Sequence, residues 1–561
     1  MLAKEILDKY NRWLAKDLED KKLTEELKSL NEDGIADAFY RDLEFGTGGL
    51  RGLIGAGTNR LNIYTVSKAT QGVANYINAN FKKEDRVVAI SRDSRLYSDV
   101  FSEVASRVFA ANGIKVWIYP YISPVPTLSY ATRYLKCSIG IMLTASHNPA
   151  EYNGYKVYGS DGCQITTEAA KEILSYIDQI DVFDGYKIIS LEEGRKEGLI
   201  NDIGPEVIDN YIEEVKKQSF LGDEEVDKNI AIVYSPLNGT GLVPITRTLK
   251  ELGYTNITVV KEQEMPDGHF PTCPKPNPEE RETLSLGIEY CKRCNADLML
   301  ATDPDCDRVG IAVKDKNGNH VLLSGNEIGI LLLDYICSRR IALGTMPKNP
   351  VFIKTIATMD LAESIASHYG LRTINVLTGF KFIGEQIGFL EKENRIDEYV
   401  FGFEDSYGYL SGTYVRDKDA VNGAVLICEM FAYYKSKGLS LLDKLDELWK
   451  EYGYCLNSLY SFEFKGPTGK EKMNKIMESF RNDTHEIVGQ PIYKTEDYIN
   501  GLNGLPKSNV LKFFFGNQCS VTLRPSGTEP KLKAYLSIRA PSEEESKALE
   551  NKVVKELFKG I

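Results

Sequence analysis

Short apolar runs and amphipathic segments alternate along most of this 561-residue chain, and the alternation starts afresh twice before giving way to a different pattern. In the first unit "RVVAISRD" (86–93) and "IKVWIYP" (114–120) read as strands around a helix over "SDVFSEVASRVFAANG" that stops at Gly113. A second helix, "TLSYATRYLK", leads into the buried strand "SIGIMLT" (138–144). Such strand–helix–strand units require a parallel or mixed sheet covered by helices. The rhythm returns at "KNIAIVYSPLNGTG", "VPITRTLKELGY", "NITVV" and "ADLMLATDPDCDRVGIAV". It returns again from "GNEIGILLLDYICSRR" through "EYVFGFEDSYGY" and two further helices. Past residue 453 the pattern changes: "YCLNSLYSFEF", a helix "GKEKMNKIMESFRND", then "VLKFFFG", "CSVTLRPSG" and "LKAYLSIRA" suggest an antiparallel sheet with helices on one face. A chain this long cannot close around one core. The expected fold is α/β: three similar α/β domains with mixed sheets plus a C-terminal α+β domain, divided as 1–204, 205–322, 323–452 and 453–561.

Composition excludes several classes. A formal net charge of −12 argues against general binding to nucleic acid or to an anionic membrane, and no apolar run is long enough to span a bilayer. The start, "MLAKEILDKYNRWLAKDLEDKK", is amphipathic rather than signal-like, with Leu2, Ile6, Tyr10, Trp13 and Leu14 on one helical face. Ten cysteines are scattered from Cys137 to Cys519 without framework spacing, which suits reduced thiols and a cytoplasmic location. Cys291 and Cys294 have no second Cys or His pair to complete a zinc site and read as a coincidence on a helix surface.

Six short stretches carry chemistry. In "LTASHNP" (143–149) an apolar run ends in a polar turn centred on Ser146, with His147 beside it; turn chemistry alone explains Ser, Asn and Pro, so nucleophile, phosphate acceptor and plain loop serine all stay open. In "ATDPDCDRVGIAV" (301–313), Asp303, Asp305 and Asp307 alternate just after a strand. A calcium loop would need Gly and Glu where Arg308 and Lys314 stand, whereas three carboxylates with room for other oxygens suit Mg²⁺; a solvated acidic turn is the alternative. "TLRPSGTEPKLKAY" (522–535) offers Arg524, Ser526, Gly527 and Thr528, with Lys531 and Lys533 adding charge, as an anion-binding loop or a polar turn. "FGTGGLRG" (45–52) fits neither a dinucleotide fingerprint nor a Walker loop, but its glycines permit close backbone approach and Arg51 could neutralise a phosphoryl group. "GFEDSYGYL" (402–410) and "LTGFKFIG" (377–384) place Glu404, Ser406 and Lys381 at the C-terminal ends of strands, where open α/β sheets bind ligands.

Together, "TASHNP", "DPDCDR", "GFEDSYG" and "RPSGTEP" resemble, in order, the motifs of the α-D-phosphohexomutase family, the phosphoglucomutase and phosphomannomutase enzymes, and the likeness runs over residues 45–539. From Ser146 to Asp303, Glu404 and Arg524 the steps are 157, 101 and 120 residues, about one domain each. "PDGHFPTCPKPNPE" (266–279) also looks like the family's second-domain segment. The resemblance implies four domains around a central cleft, each giving one loop. It implies that Ser146 carries a phosphoryl group and that Asp303, Asp305 and Asp307 bind Mg²⁺ with a phosphoserine oxygen of Ser146 as a further ligand. Glu404 and Ser406 would hold sugar hydroxyls. Arg524, Ser526, Gly527 and Thr528, helped by Lys533, would grip the phosphate that is not reacting. Arg51, His147 and Lys381 would surround the transferring group. Substrates would be sugar phosphates, with a sugar 1,6-bisphosphate as intermediate and activator, handled by a monomer or homodimer. His147 is not expected to act as a hydrolase-type base on Ser146, because neighbouring side chains of an extended turn point apart and no G-x-S-x-G elbow is present. The "FEDSYGY" loop and the extra helical segment before residue 40 resemble the longer phosphoglucomutase branch, which also contains phosphopentomutase-type enzymes. Glucose phosphate therefore leads, ahead of mannose and pentose phosphates.

Overall fold

A computed structural model describes residues 2–46, 48–464, 469–526 and 531–559. Four sheets are present among them. The first runs edge to edge as Gly49–Leu53, Tyr152–Gly159, Ile139–Leu143, Val87–Arg92, Lys115–Ile118 and Ile200–Asp202; its last four strands are parallel and the first two join antiparallel. The second is His320–Leu323, Val309–Lys314, Leu298–Thr302, Ile232–Ser235 and Ile257–Val259, and the third Arg372–Val376, Val351–Thr355, Tyr399–Glu404 and Gly408–Leu410. Both are mixed in the same way. The fourth, Tyr454–Glu463, Lys531–Ala540, Cys519–Pro525, Leu511–Phe515, Gln490–Asp497 and Glu486–Ile487, is antiparallel throughout. Helices Gly469–Asp483 and Glu543–Leu557 accompany it, supplying Met473, Met477, Phe480 and Val553 to its core.

The first three domains share one device. In each, a buried strand next to the parallel pair is followed directly by its antiparallel neighbour: Ile139–Leu143 by Tyr152–Gly159, Leu298–Thr302 by Val309–Lys314, Tyr399–Glu404 by Gly408–Leu410. The connection between the two is the loop that bears the candidate chemistry. In the fourth domain Cys519–Pro525 returns as Lys531–Ala540 across the arginine loop.

One apolar core runs through the second and third domains. It includes Tyr234, Leu300 and Ile311 from one sheet and Phe352, Phe401 and Phe403 from the other. Helices Gly325–Ala342 and Ala420–Ser436 are buried along most of their length between them, so they carry apolar residues on nearly every face. The N-terminal segment breaks into helices Lys4–Ala15, Lys21–Ser29 and Glu32–Phe39; the Asp20 carboxylate accepts the Lys22 N–H to start the second. Trp13 is buried against Phe39, Tyr64 and Phe183, with Ile6 and Tyr10 alongside. Leu14, placed on the same face by the sequence, is 36% exposed: one residue past Trp13 the helix has turned it outward. All ten cysteines are free thiols; Cys291 is in the core and Cys294 outside, on one helix.

Candidate active site

Three of the four predicted loops touch. Ser146 follows the first buried strand, and its φ of 52° is left-handed; Cys306 (52°) in the aspartate loop and Tyr407 (63°) in the sugar loop do the same at the equivalent tips. A non-glycine residue held there costs about 1–3 kcal/mol and persists only where its surroundings enforce it. The Ser146 N–H donates to Thr144 Oγ1 (2.8 Å), and its Oγ donates to Asp303 Oδ2 across the domain boundary (2.8 Å). Thr144 Oγ1 also lies 3.2 Å from Asp305 Oδ2, the Val125 N–H bonds the Asp305 carbonyl, and the Val309 N–H bonds the Tyr407 carbonyl.

The curl at Ser146 corrects one expectation. His147 Nδ1 is 3.2 Å from Ser146 Oγ, because the left-handed turn brings together side chains that an extended turn would separate. Burial pushes the imidazole well below its usual range, and Arg308 and Arg51 push it further, so His147 is neutral. Arg51, on the edge strand, donates from Nη1 to Asn148 Oδ1 (3.1 Å).

Asp303, Asp305 and Asp307 are fully buried and converge, each presenting an oxygen within 4.8 Å of the others. Burial and mutual repulsion raise Asp303 and Asp307, whereas Lys156 overcomes burial and keeps Asp305 ionised. Lys156 Nζ lies 2.9 Å from Asp305 Oδ2, Lys418 Nζ 2.7 Å from Asp307 Oδ2, and Arg308 links Glu279 (2.5 Å) to the cluster. Asp305 Oδ1 and Asp307 Oδ1 are buried yet accept no hydrogen bond from the described residues. Buried oxygen acceptors left over in an all-carboxylate set fit a hard divalent cation that keeps part of its own shell.

Glu404 ends its strand buried beside Lys418 and Arg308; burial lifts its carboxyl to about 7, and the two cations limit the rise. Ser406 precedes Tyr407 at the tip of that hairpin. Lys381 sits in the first turn of helix Phe380–Lys392, depressed to about 8 by burial, with Arg524 adding to the effect. Lys533, paired in register with Arg524, in turn favours the charged form of Asp405. Arg524 and Lys533, on the strands that flank the arginine loop, thus lie within electrostatic reach of Lys381 and of the sugar loop's Asp405. The base of the arginine loop is closed by the Ser526 N–H on the Lys531 carbonyl (2.7 Å). Gly527 and Thr528 lie outside the described residues.

Sequence models of the phosphoglucomutase/phosphomannomutase α/β/α domains I, II and III match residues 42–183, 209–318 and 324–452. The chain belongs to this family, the α-D-phosphohexomutases. It is 36% identical over 508 residues to a phosphoglucomutase of Staphylococcus epidermidis, covering 88% of this chain and 90% of that one. It is 35% identical over 520 residues to that of Staphylococcus aureus strain USA300, covering 90% and 91%. The crystal structure of a phosphoglucomutase/phosphomannomutase family protein from Burkholderia thailandensis shares the fold, with a TM-score of 0.68 at 18% identity over 92% of this chain and 98% of that one. Among the described residues no helix is long and apolar enough to cross a membrane.

Sequence reasoning missed several residues of this phosphohexomutase site. Lys156 follows the serine loop in "YNGYK", Lys418 lies in "YVRDKDA", and Arg308 and Glu279 flank the aspartates. The available signal was charge set among residues that are otherwise apolar, in "YVRDKDAVNGAVLI" above all.

Proposed function

We propose that this protein is a phosphoglucomutase that interconverts glucose 1-phosphate and glucose 6-phosphate through phospho-Ser146 and glucose 1,6-bisphosphate. The carrying observation is Ser146 Oγ, buried at the meeting of two domains, 2.8 Å from Asp303 and 3.2 Å from a neutral imidazole. The names of the staphylococcal relatives support glucose phosphate as substrate.

Asp303, Asp305 and Asp307 would hold Mg²⁺, which offsets the charge that develops on a transferring phosphoryl group. Phospho-Ser146 gives its phosphoryl to the free hydroxyl of the sugar monophosphate; the Ser146 Oγ–P bond breaks as the sugar O–P bond forms. The proton released by the sugar hydroxyl passes to Ser146 Oγ, with His147 Nδ1 exchanging it at the serine, so none is gained or lost. Lys381 and Arg51 face the transferring group, and Glu404 and Ser406 accept and donate to sugar hydroxyls. Arg524, Ser526, Gly527 and Thr528, with Lys533, hold the other phosphate. The bisphosphate then turns end for end, and Ser146 takes back the second phosphoryl group. This division of labour corresponds to domains 1–204, 205–322, 323–452 and 453–561. Ten free thiols support a reducing compartment such as the cytoplasm.

The test is conversion of glucose 1-phosphate with Mg²⁺ and a trace of glucose 1,6-bisphosphate, with mannose 1-phosphate and ribose 1-phosphate in parallel. Glucose phosphate is expected to turn over fastest and Ser146→Ala to abolish turnover. An Ala variant at full rate, or preference for another sugar, overturns the assignment.

A further inference from the structure

We propose that Arg95 is a positioning residue for phosphoryl transfer, holding the backbone of the serine loop so that Ser146 meets Asp303. Arg95 belongs to the "SRDSR" turn after strand Val87–Arg92 and is only 3% exposed. Its two terminal nitrogens serve one segment. Nη2 donates to the carbonyls of Ser146 (2.6 Å) and Asn148, and Nη1 to those of Pro149 (2.9 Å) and Tyr152 (2.9 Å). All four N–H bonds of those nitrogens therefore end on the backbone of residues 146–152, a match to the planar fork that an ammonium group cannot reproduce.

The guanidinium is itself fixed from two sides. Asp93 Oδ2 stands 3.5 Å from Nε, while Asp93 also accepts the Arg95 N–H and the Thr144 hydroxyl that receives the Ser146 N–H. The ring of Phe270, from the second domain, lies 5.1 Å from the guanidinium carbon. Its neighbour Gly268 packs so closely that an added Cβ would meet Leu96 N at 2.5 Å and Ser94 O at 2.8 Å. The same arginine thus shapes the loop that carries the serine and docks the domain that carries the aspartates. Ser146 keeps its left-handed φ because its N–H is held by Thr144, which Asp93 fixes, while its own carbonyl and those after it are tied to one rigid group. Both terminal nitrogens of Arg95 are spent on carbonyls of the serine loop, so its hydrogen bonds act through the loop rather than on the reacting atoms.

This inference rests on the mutase reading, and the experiment separates the two. Wild type, Arg95→Lys and Phe270→Ala are compared for kcat, KM and the single-turnover rate of transfer from phospho-Ser146 to glucose 1-phosphate, each normalised to the folded fraction. Displacement of a reacting atom by about 1 Å costs about a hundredfold in rate. Arg95→Lys is expected to lower kcat and the single-turnover rate together by at least about thirtyfold, with KM within about threefold of wild type. Phe270→Ala, which leaves every hydrogen bond in place, is expected to lower both by about three- to tenfold and decides the matter if the lysine variant does not fold. An inactive wild type removes the mutase reading and this inference with it. An active wild type overturns the inference alone if kcat survives the substitutions, if only KM changes, or if the loss disappears once the folded fraction is counted.

Discussion

Glu404 offers a prediction whose size follows from its surroundings. Its carboxyl is buried at the end of strand Tyr399–Glu404 and lifted to about 7, from 4.5 when unfolded. Because the folded value is the higher one, the group favours folding fully below pH 4.5, and that contribution is withdrawn as pH rises to 7. At about 1.4 kcal/mol per tenfold change in proton affinity, ionisation removes about 3 kcal/mol across that window. Glu404→Gln keeps the shape and cannot ionise. The variant should match wild type near pH 4.5 and exceed it by about 3 kcal/mol at pH 8. If the domains melt together, an unfolding entropy of about 2 cal/mol/K per residue turns this into a midpoint about 3 °C higher at pH 8. Scanning calorimetry of both proteins at pH 5, 6.5 and 8 and one scan rate measures it. A pH-independent difference, or a less stable glutamine variant at pH 8, refutes the argument. Losing a charged acceptor for sugar hydroxyls should also reduce kcat/KM by about ten- to a hundredfold, so stability and activity move in opposite directions.

Lys381, depressed to about 8 by burial, should give kcat/KM a falling limb above pH 8 as the ammonium deprotonates; Lys381→Met should flatten that limb and lower the plateau, and a wild-type profile level to pH 9.5 would show that its charge is not used. Mg²⁺ at a hundred times its dissociation constant should stabilise wild type by about 2.7 kcal/mol, read as a raised melting midpoint, whereas Asp305→Asn/Asp307→Asn should show no such shift. Trp13→Ala should destabilise the N-terminal region by about 3–5 kcal/mol while Leu14→Ala stays within about 0.5, compared by urea unfolding; equal losses would contradict the packing around Trp13.

Much of the fold was legible because burial leaves a period in the sequence. "SIGIMLT" reads as a buried strand since Ile139–Leu143 has neighbours on both sides and helices on both faces, and Gly113, at φ 71°, ends its helix as its position suggested. Strands Gln490–Asp497 and Glu486–Ile487 were not foreseen. They form the outer side of the last sheet, where most of their side chains meet solvent and no apolar alternation is required. Leu14 shows the same limit at the scale of one residue, since a helical face drawn from spacing does not say how wide the partner surface is. At the site, the aspartates and the arginine loop were visible as unusual local composition. The cations that answer them were not, because Lys156, Arg308 and Lys418 come from three separate stretches and acquire meaning only where the chain brings them together.

The misreading of His147 and the likeness of the three hairpin tips have one cause. A strand that runs straight into its antiparallel neighbour must reverse within a few residues. At Ser146, Cys306 and Tyr407 the reversal includes a left-handed residue that is not glycine, so nothing in the residue type announces it. Each tip is held by its surroundings instead: Ser146 by Thr144 and Arg95, Cys306 by its N–H on the Asp303 carbonyl, Tyr407 by its hydroxyl on the Leu323 carbonyl and its own carbonyl on the Val309 N–H. One of those ties, Tyr407's carbonyl on Val309, together with Ser146 Oγ on Asp303 and Val125 on Asp305, joins one domain's tip to another domain's backbone or carboxylate. The strained conformations and the domain contacts therefore depend on each other. A first domain separated at residue 204 would retain Ser146, His147 and Arg95 but lose Asp303 and the Phe270 ring, and with them the geometry that makes Ser146 more than a loop serine.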